Sequence, residues 1–229
     1  MPSVATGLST LASSVTERLR ADILSGALAP ETKLRIERVC ASYSAGASPV
    51  REALNRLTAE GLVRQHDQRG FSVAPISLED LRDLVTTRCR LEAIALTESI
   101  ARHSASWEEG IVLAFYRLSR TPRSSSPSGY QTHPDWEQHH RAFHEALIAD
   151  CSSTYLRGYC ADLRDQADRY RQIAAATVYP RRHESDEHKA IMDAAIAGRT
   201  DEAVLALTAH YQTTLSIIET HADRLFGQD

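Results

Sequence analysis

The chain has 229 residues, which suits one large or two small domains, and its 42% hydrophobic and 24% charged residues are typical of soluble globular proteins. Its formal net charge is −4. We expect no membrane span, because no run of 18 apolar residues occurs, and no signal peptide, because the first residues lack a basic start and a long apolar run. The four cysteines form no CxxC pair, so we expect a cytoplasmic protein with reduced thiols.

The first informative element is a helix predicted over Ser48–Glu60, after an earlier helix and a tight turn that begin near Leu34. Apolar residues recur there at the i, i+3, i+4, i+7 spacing of one buried helical face. These apolar residues are Val50, Ala53, Leu54 and Leu57. Ser48, Arg51 and Asn55 point the other way. An exposed hydroxyl, guanidinium and amide suit base edges and phosphates in a DNA major groove.

A two-stranded hairpin is predicted after this helix. Ser48 is expected to cap the start of the helix and Gly61 to end it. Residues 62–64 and 71–73 then form two short alternating runs around a glycine-containing tip. Arg69 and Gly70 at this tip are placed to enter a minor groove, where an arginine meets concentrated negative potential.

Helix, turn, helix and hairpin together predict an N-terminal winged helix-turn-helix domain over residues 1–76, with duplex DNA as its partner. Residues 1–76 hold nine Lys and Arg against seven Asp and Glu, a net charge of +2, whereas residues 77–229 hold 17 against 23, a net charge of −6. This asymmetry favours phosphate binding by the first domain. The alternative is a helix-turn-helix that never touches DNA. The predicted DNA contacts are Arg35, Ser48, Arg51, Asn55, Arg69 and Gly70.

Residues 77–229 predict an antiparallel all-α bundle with its own core, so the fold class is mostly α. Capping patterns at Ser77 and Ser106 open the first two helices, which run to about Arg102 and Arg120. Four more helices are predicted at about residues 135–150, 154–176, 181–197 and 200–225.

Four histidines are predicted to face the interior of this bundle. They share a helical face with apolar residues on three different helices, and two of them are one turn apart. They are His140, His144, His188 and His210. Such a set suits a divalent metal, Zn²⁺ or a similar ion. The alternative is a group of hydrogen-bonded core histidines, because buried neutral imidazoles need partners for both nitrogens.

Arg88 lies on the apolar face of its helix, and a buried guanidinium needs an anion. That anion is either a carboxylate ligand or a glutamate or aspartate of the same domain. Arg169 and Arg171 are weaker candidates for the same ligand, and Tyr170 or Tyr211 is a candidate for adding a hydroxyl.

The N-terminal residues resemble the GntR family of bacterial transcription regulators. The resemblance rests on residues 19–26, 48–54, 60–63 and 69–73, in their order and spacing. It implies a winged helix-turn-helix that reads an operator. Most relatives have Ser-Arg before the Ser-Pro pair, where this chain has Gly46-Ala47, so a usual DNA-contacting arginine is absent. We therefore expect DNA recognition to depend more on Arg51 and on the wing.

The helical domain resembles the FCD-type effector domain of the FadR branch of that family, through residues 88–92, 143–147 and 187–191 and His210. Many such domains hold a divalent metal with one Asp and three histidines and bind a small organic acid beside it. By position the histidines are His144, His188 and His210, while His140 stands where the Asp is usual.

The resemblance, which extends loosely to the carbon-starvation-type repressors, implies a homodimer on a pseudo-palindromic operator. It implies a repressor of a catabolic operon, relieved by a dicarboxylate or an amino-acid-derived acid. A metal-dependent enzyme is the alternative, and it fits poorly. His140 is followed by Arg141 rather than by the glutamate that helix-borne zinc proteases use as a base, so we expect no enzyme activity.

Overall fold

The computed structural model describes residues 10–66, 70–126, 130–177 and 183–226. It divides into two compact units, residues 1–76 and residues 77–229. The first unit contains α1 (Leu11–Leu24), β1 (Lys33–Leu34), α2 (Ile36–Tyr43), α3 (Ala47–Ala59), β2 (Val63–His66) and β3 (Gly70–Val73). The second contains α4 (Leu78–Arg102), α5 (Ala105–Arg120), α6 (Pro134–Leu147), α7 (Thr154–Thr177), α8 (Glu184–Ile196), α9 (Thr200–Thr220) and α10 (Ala222–Phe226). The expected fold class, a winged helix-turn-helix followed by a helical domain, is confirmed.

The wing is a three-stranded antiparallel sheet in the order β1-β3-β2. Val63 pairs with Val73 and His66 with Gly70, so the predicted hairpin is present, and β1 adds a strand that the sequence did not predict. The apolar face of α3 is buried as its spacing requires, and it packs with α1 and the sheet in a single core. Leu54 and Leu57 are both fully buried there.

The predicted capping role of Ser48 is wrong. Helix α3 begins at Ala47 with Gly46 as its N-cap, and no side chain accepts a hydrogen bond at that end. Ser48 therefore lies within the first turn. The predicted end is confirmed, because Gly61 follows the C-cap with a φ of 74°, a left-handed conformation that glycine adopts without steric cost.

The helical unit follows its capping signals with two corrections. Ser77 caps α4 by accepting from the backbone N–H of Asp80 at 3.1 Å, as predicted. Ser104, not Ser106, caps α5, where it accepts from the N–H of Trp107 at 3.2 Å. The predicted last helix is two helices, α9 and α10, so seven helices rather than six occur in residues 77–126, 130–177 and 183–226.

Helix α4 packs on α7 and α9, α5 on α6 and α8, and α8 on α9. Arg82 on α4 pairs with Glu219 on α9 at 2.7 Å, while Glu92 accepts from the hydroxyl of Tyr211 at 2.5 Å. These two contacts show that α4 and α9 run antiparallel. Among the helices that the structure describes, none combines the length and apolar character that crossing a membrane requires.

Candidate functional site

The outer face of α3 carries the predicted DNA-contacting residues. Ser48, Arg51 and Asn55 are exposed. Within the described residues, the Arg51 side chain makes no hydrogen bond or ion pair, whereas Arg56 one turn later pairs with Glu52 and contacts Ser13. The Arg51 guanidinium is therefore free for a partner outside the chain.

A groove in the same unit runs from the ends of β2 and β3 that flank residues 67–69 to the start of α2. It is lined by Lys33, Arg35, His66 and Gly70, among others. Arg35 is the exposed N-cap residue of α2, and Gly70 is exposed with a φ of 86°. Two of the predicted contacts thus lie along one surface groove. Arg69, the predicted tip residue, lies outside the described residues.

The four predicted histidines meet inside the helical unit. His140 and His144 come from α6, His188 from α8 and His210 from α9, and all four are buried. One ring nitrogen of each lies within 4.8 Å of the others. Three helices thus bring four ring nitrogens to one point, a donor set that suits Zn²⁺ or a similar ion.

Two acidic residues orient His144 and His210 of this cluster, Glu92 through Tyr211 and Glu187 by direct contact. Tyr211 donates its hydroxyl proton to Glu92 at 2.5 Å, so its oxygen is left to accept from Nδ1–H of His144 at 3.1 Å. Glu187 accepts from Nδ1–H of His210 at 2.8 Å. Both contacts favour the tautomer whose Nε2 carries no proton, which is the form that binds a metal. Neither the role of these two carboxylates nor the hydrogen bond between Tyr211 and His144 was predicted from the sequence.

The contacts of His140 involve its ring face and one of its two ring nitrogens. Its ring stacks on Trp136 with centroids 4.8 Å apart, and its Nε2 lies 3.3 Å from Nε2 of His144. Its Nδ1 is buried with no hydrogen-bond partner among the described residues. Burial, together with Arg171 nearby, holds the pKa of His140 well below its usual value, and burial does the same for His144. Neutral imidazoles with one unsatisfied nitrogen fit metal binding.

Both interpretations of Arg88 find support in its contacts. Arg88 is buried and donates through Nε to Glu92 at 2.7 Å, the internal pair that was weighed against a ligand. Its guanidinium lies 3.9 Å from the centre of the Tyr211 ring. Its Nη2 is buried with no partner among the described residues. One edge of the guanidinium is thus used, and another is available to an anion.

A cavity lies directly beside the histidine cluster. Arg88, His140, His210 and Tyr211 belong to its wall, together with Trp136 of α6, Arg171 of α7 and Arg123, which lies between α5 and α6. The remainder of the wall is mostly apolar residues of α4, α7 and α9, and its polar members are Asp168, Glu184 and Thr214. The cavity thus places a buried guanidinium, two histidines and an apolar surface around one space.

Arg169 and Tyr170 are not among the residues that line this cavity, so their role in binding the ligand stays a prediction. Arg169 is buried elsewhere on α7. Tyr170 donates to Asp80 at 2.6 Å and accepts from the N–H of Ser77 at 3.1 Å, which ties α7 to the start of α4. Arg171, one residue further, is the side chain that α7 turns to the cavity, because successive helical residues differ by 100°.

The chain matches the family described as bacterial regulatory proteins, gntR family, over residues 11–73 and the FCD domain over residues 83–213. It is 39% identical to the uncharacterized HTH-type transcriptional regulator BphR of Paraburkholderia xenovorans, over 88% of this chain and 82% of that protein. It is 32% identical to the HTH-type transcriptional repressor GlaR of Escherichia coli, over 88% of this chain and 92% of that protein. The solved structure of E. coli McbR/YncC shares the fold, with a TM-score of 0.75 at 17% identity over 93% of this chain and 99% of that one.

Proposed function

Because this chain belongs to the GntR family of bacterial regulatory proteins and carries an FCD domain, we propose that it is a cytoplasmic repressor released from its operator by a small organic acid. Members of this family are transcription regulators, not enzymes. The relative GlaR is named a repressor, which supports repression as the direction of control. The family match over both units is the observation that carries this proposal.

The DNA-binding role depends on the outer face of α3. Its exposed arginine is unpaired within the described residues, and its amide stands one turn away on the same face. The groove at the wing adds the cationic groups of Lys33 and Arg35, and Glu31 and Glu37 also line it. The proposed contacts are Arg35, Ser48, Arg51, Asn55, Arg69 and Gly70. A homodimer would present two such faces to a pseudo-palindromic operator.

Gel mobility shifts with genomic fragments test this role. The full chain should select one fragment, and Arg51→Ala should weaken that complex about 10- to 100-fold, corresponding to about 1–3 kcal/mol of lost base contacts. Arg56→Ala is the matched control, because Arg56 lies on the same helix but is already paired with Glu52. Equal binding by wild type and Arg51→Ala would remove Arg51 from the reading role.

We further propose that the four histidines hold one divalent ion, which would supply positive charge beside the cavity. Metal analysis of protein purified without chelator should find about one ion per chain. His144→Ala should abolish this binding, and Glu187→Gln should weaken it about 10- to 100-fold, because Glu187 orients His210. His139→Ala is the control, since His139 bonds Thr121 outside the cluster. A wild type with no bound ion and no measurable zinc affinity would favour hydrogen-bonded core histidines.

The proposed effector binds in the cavity, with its carboxylate at Arg88. Binding there would change the relative positions of α4 and α9. A typical coupling free energy of about 1–3 kcal/mol between the two sites would lower operator affinity 5- to 150-fold. Arg88→Met combined with Glu92→Leu, which leaves no unpaired buried charge, should abolish the response to acid while operator binding without acid persists. A variant that still responds to acid would contradict this assignment of the anchor.

A further inference from the structure

The cavity has a polar end and an apolar end. On α4, Val85 and Leu81 lie one and two turns before Arg88, and on α9, Leu215 and Ile218 lie one and two turns after Tyr211. Since α4 and α9 run antiparallel, both pairs of apolar residues lie on the same side of the Arg88 and Tyr211 level. Ala174 and Ala175 of α7 also line the cavity.

Most of the positive charge at the cavity is already matched by protein carboxylates. Arg171 donates to Glu137 and to Asp168, through Nη1 at 3.1 Å and Nη2 at 3.1 Å respectively. Arg123 pairs with Glu184. Arg88 also has an acidic partner, yet its Nη2 remains buried and unbonded within the described residues. The proposed ion would lie at the Arg88 end as well, because His210 adjoins Tyr211 and His144 is bonded to Tyr211. The wall therefore offers anchors for a carboxylate at that end and none at the apolar end.

We propose that the effector is a short-chain monocarboxylate, with its carboxylate on Arg88 and its alkyl body between α4 and α9. This inference rests on the proposed effector site and narrows it, because the sequence suggested a dicarboxylate among other acids. A second carboxylate on the same chain would lie against Leu81, Val85, Leu215 and Ile218. Burying a charge there without a partner is strongly unfavourable.

The size of the cavity limits the alkyl body. Its volume is about 60 Å³, less than half of the roughly 150 Å³ that holds benzene in an engineered apolar cavity. That comparison leaves no room for an aromatic ring and limits the alkyl body to a short chain. The acid is therefore a short aliphatic one rather than an aromatic one.

Titration calorimetry with a matched pair of acids tests this inference on the full chain, with and without added Zn²⁺. Butanoate and butanedioate have the same number of carbon atoms and differ only in the group at the far end. Butanoate should bind at least tenfold more tightly, and butanamide, which lacks the charge, should not bind at the same concentrations. Tighter binding of butanedioate would overturn the inference and leave the proposed acid-responsive function standing. Failure of both acids to bind would overturn both.

A designed second anchor gives an independent test. Val85→Lys places an ammonium in the apolar end and should reverse the preference, so that butanedioate binds more tightly than butanoate. Val85→Met is the control, because it has a similar length and no charge, and it should keep the preference of the wild type. If Val85→Lys does not fold, the wild-type comparison alone still decides. A folded Val85→Lys protein with unchanged preference would contradict the proposed position of the alkyl body.

Discussion

Arg51 of the first unit and the cavity arginines of the second unit are used in opposite ways. On α3 of the first unit, Arg51 is exposed and unpaired within the described residues. At the cavity of the second unit, Arg88 and Arg171 are ion-paired, with side chains only 7% and 11% exposed. An exposed guanidinium is stabilised by water until a phosphate replaces it, whereas a buried one needs a built-in anion before any ligand arrives. Exposed arginines can therefore be assigned to partners outside the chain more readily than buried ones.

The largest expected effect on the free energy of unfolding comes from removing the carboxylate of the buried Arg88–Glu92 pair. Glu92→Ala leaves the Arg88 guanidinium buried without its anion and removes the acceptor of Tyr211, and loss of one partner of a buried pair costs about 3–5 kcal/mol. We expect the free energy of unfolding in urea to fall by that amount.

A double variant sharpens this comparison. Arg88→Met combined with Glu92→Leu removes both charges together, and it should recover most of the stability lost in Glu92→Ala. A double variant as unstable as the single one would show that shape, rather than the unpaired charge, causes the loss.

A change of pH has the next largest expected effect on stability. It should act on the second unit, because the buried histidines among the described residues all lie there. Burial lowers the folded-state pKa of His140 and His144 well below the unfolded value of about 6.5, so the unfolded chain takes up protons first as the pH falls. Stability is complete above about pH 6.5 and is lost below it, by up to about 1.4 kcal/mol per pH unit for each histidine.

Urea unfolding between pH 7.5 and 5.5, with chelator present, measures this slope. His144→Gln should reduce it, whereas His139→Gln, on the same helix but outside the cluster, should not. If stability falls equally steeply with pH in the wild type and in His144→Gln, His144 is not a source of the pH dependence.

The smallest effect is expected at the exposed pair on α3. Arg56 and Glu52 have side chains 44% and 52% exposed, and such pairs typically contribute about 0–1 kcal/mol. Glu52→Ala should therefore change the free energy of unfolding by less than about 1 kcal/mol. A loss as large as that of Glu92→Ala would abolish the distinction between the two classes of arginine.

Local patterns in the sequence predicted much of the fold. The apolar spacing on α3, the cap at Ser77 and the turn at Gly61 involve residues a few positions apart, and these features are present. Strand β1 was not predicted, because two residues carry no alternation and their pairing with β3 depends on distant chain. The N-cap was misplaced because the backbone enters the helix at Gly46, without the side-chain bond that Ser48 was expected to make.

The candidate site divides in the same way. Helical phase alone places the four histidines in the interior. The ion pair of Arg88 and Glu92 can be predicted from the sequence as well, because residues at i and i+4 are neighbours on a helix. The contact of Tyr211 with His144 joins two helices and requires the tertiary packing. Arg171, rather than Arg169, faces the cavity because of a helical phase that the sequence alone did not fix.

The position of Trp136 has a practical consequence for solution experiments. Its indole lines the cavity, stacks on His140 and lies about 5 Å from the guanidinium carbons of Arg123 and Arg171. The chain has two tryptophans, so Trp107→Phe would leave one fluorophore, seated where acid or ion would arrive. A change in the tryptophan emission of Trp136 would then report that an acid or an ion has bound in the cavity, with no added dye.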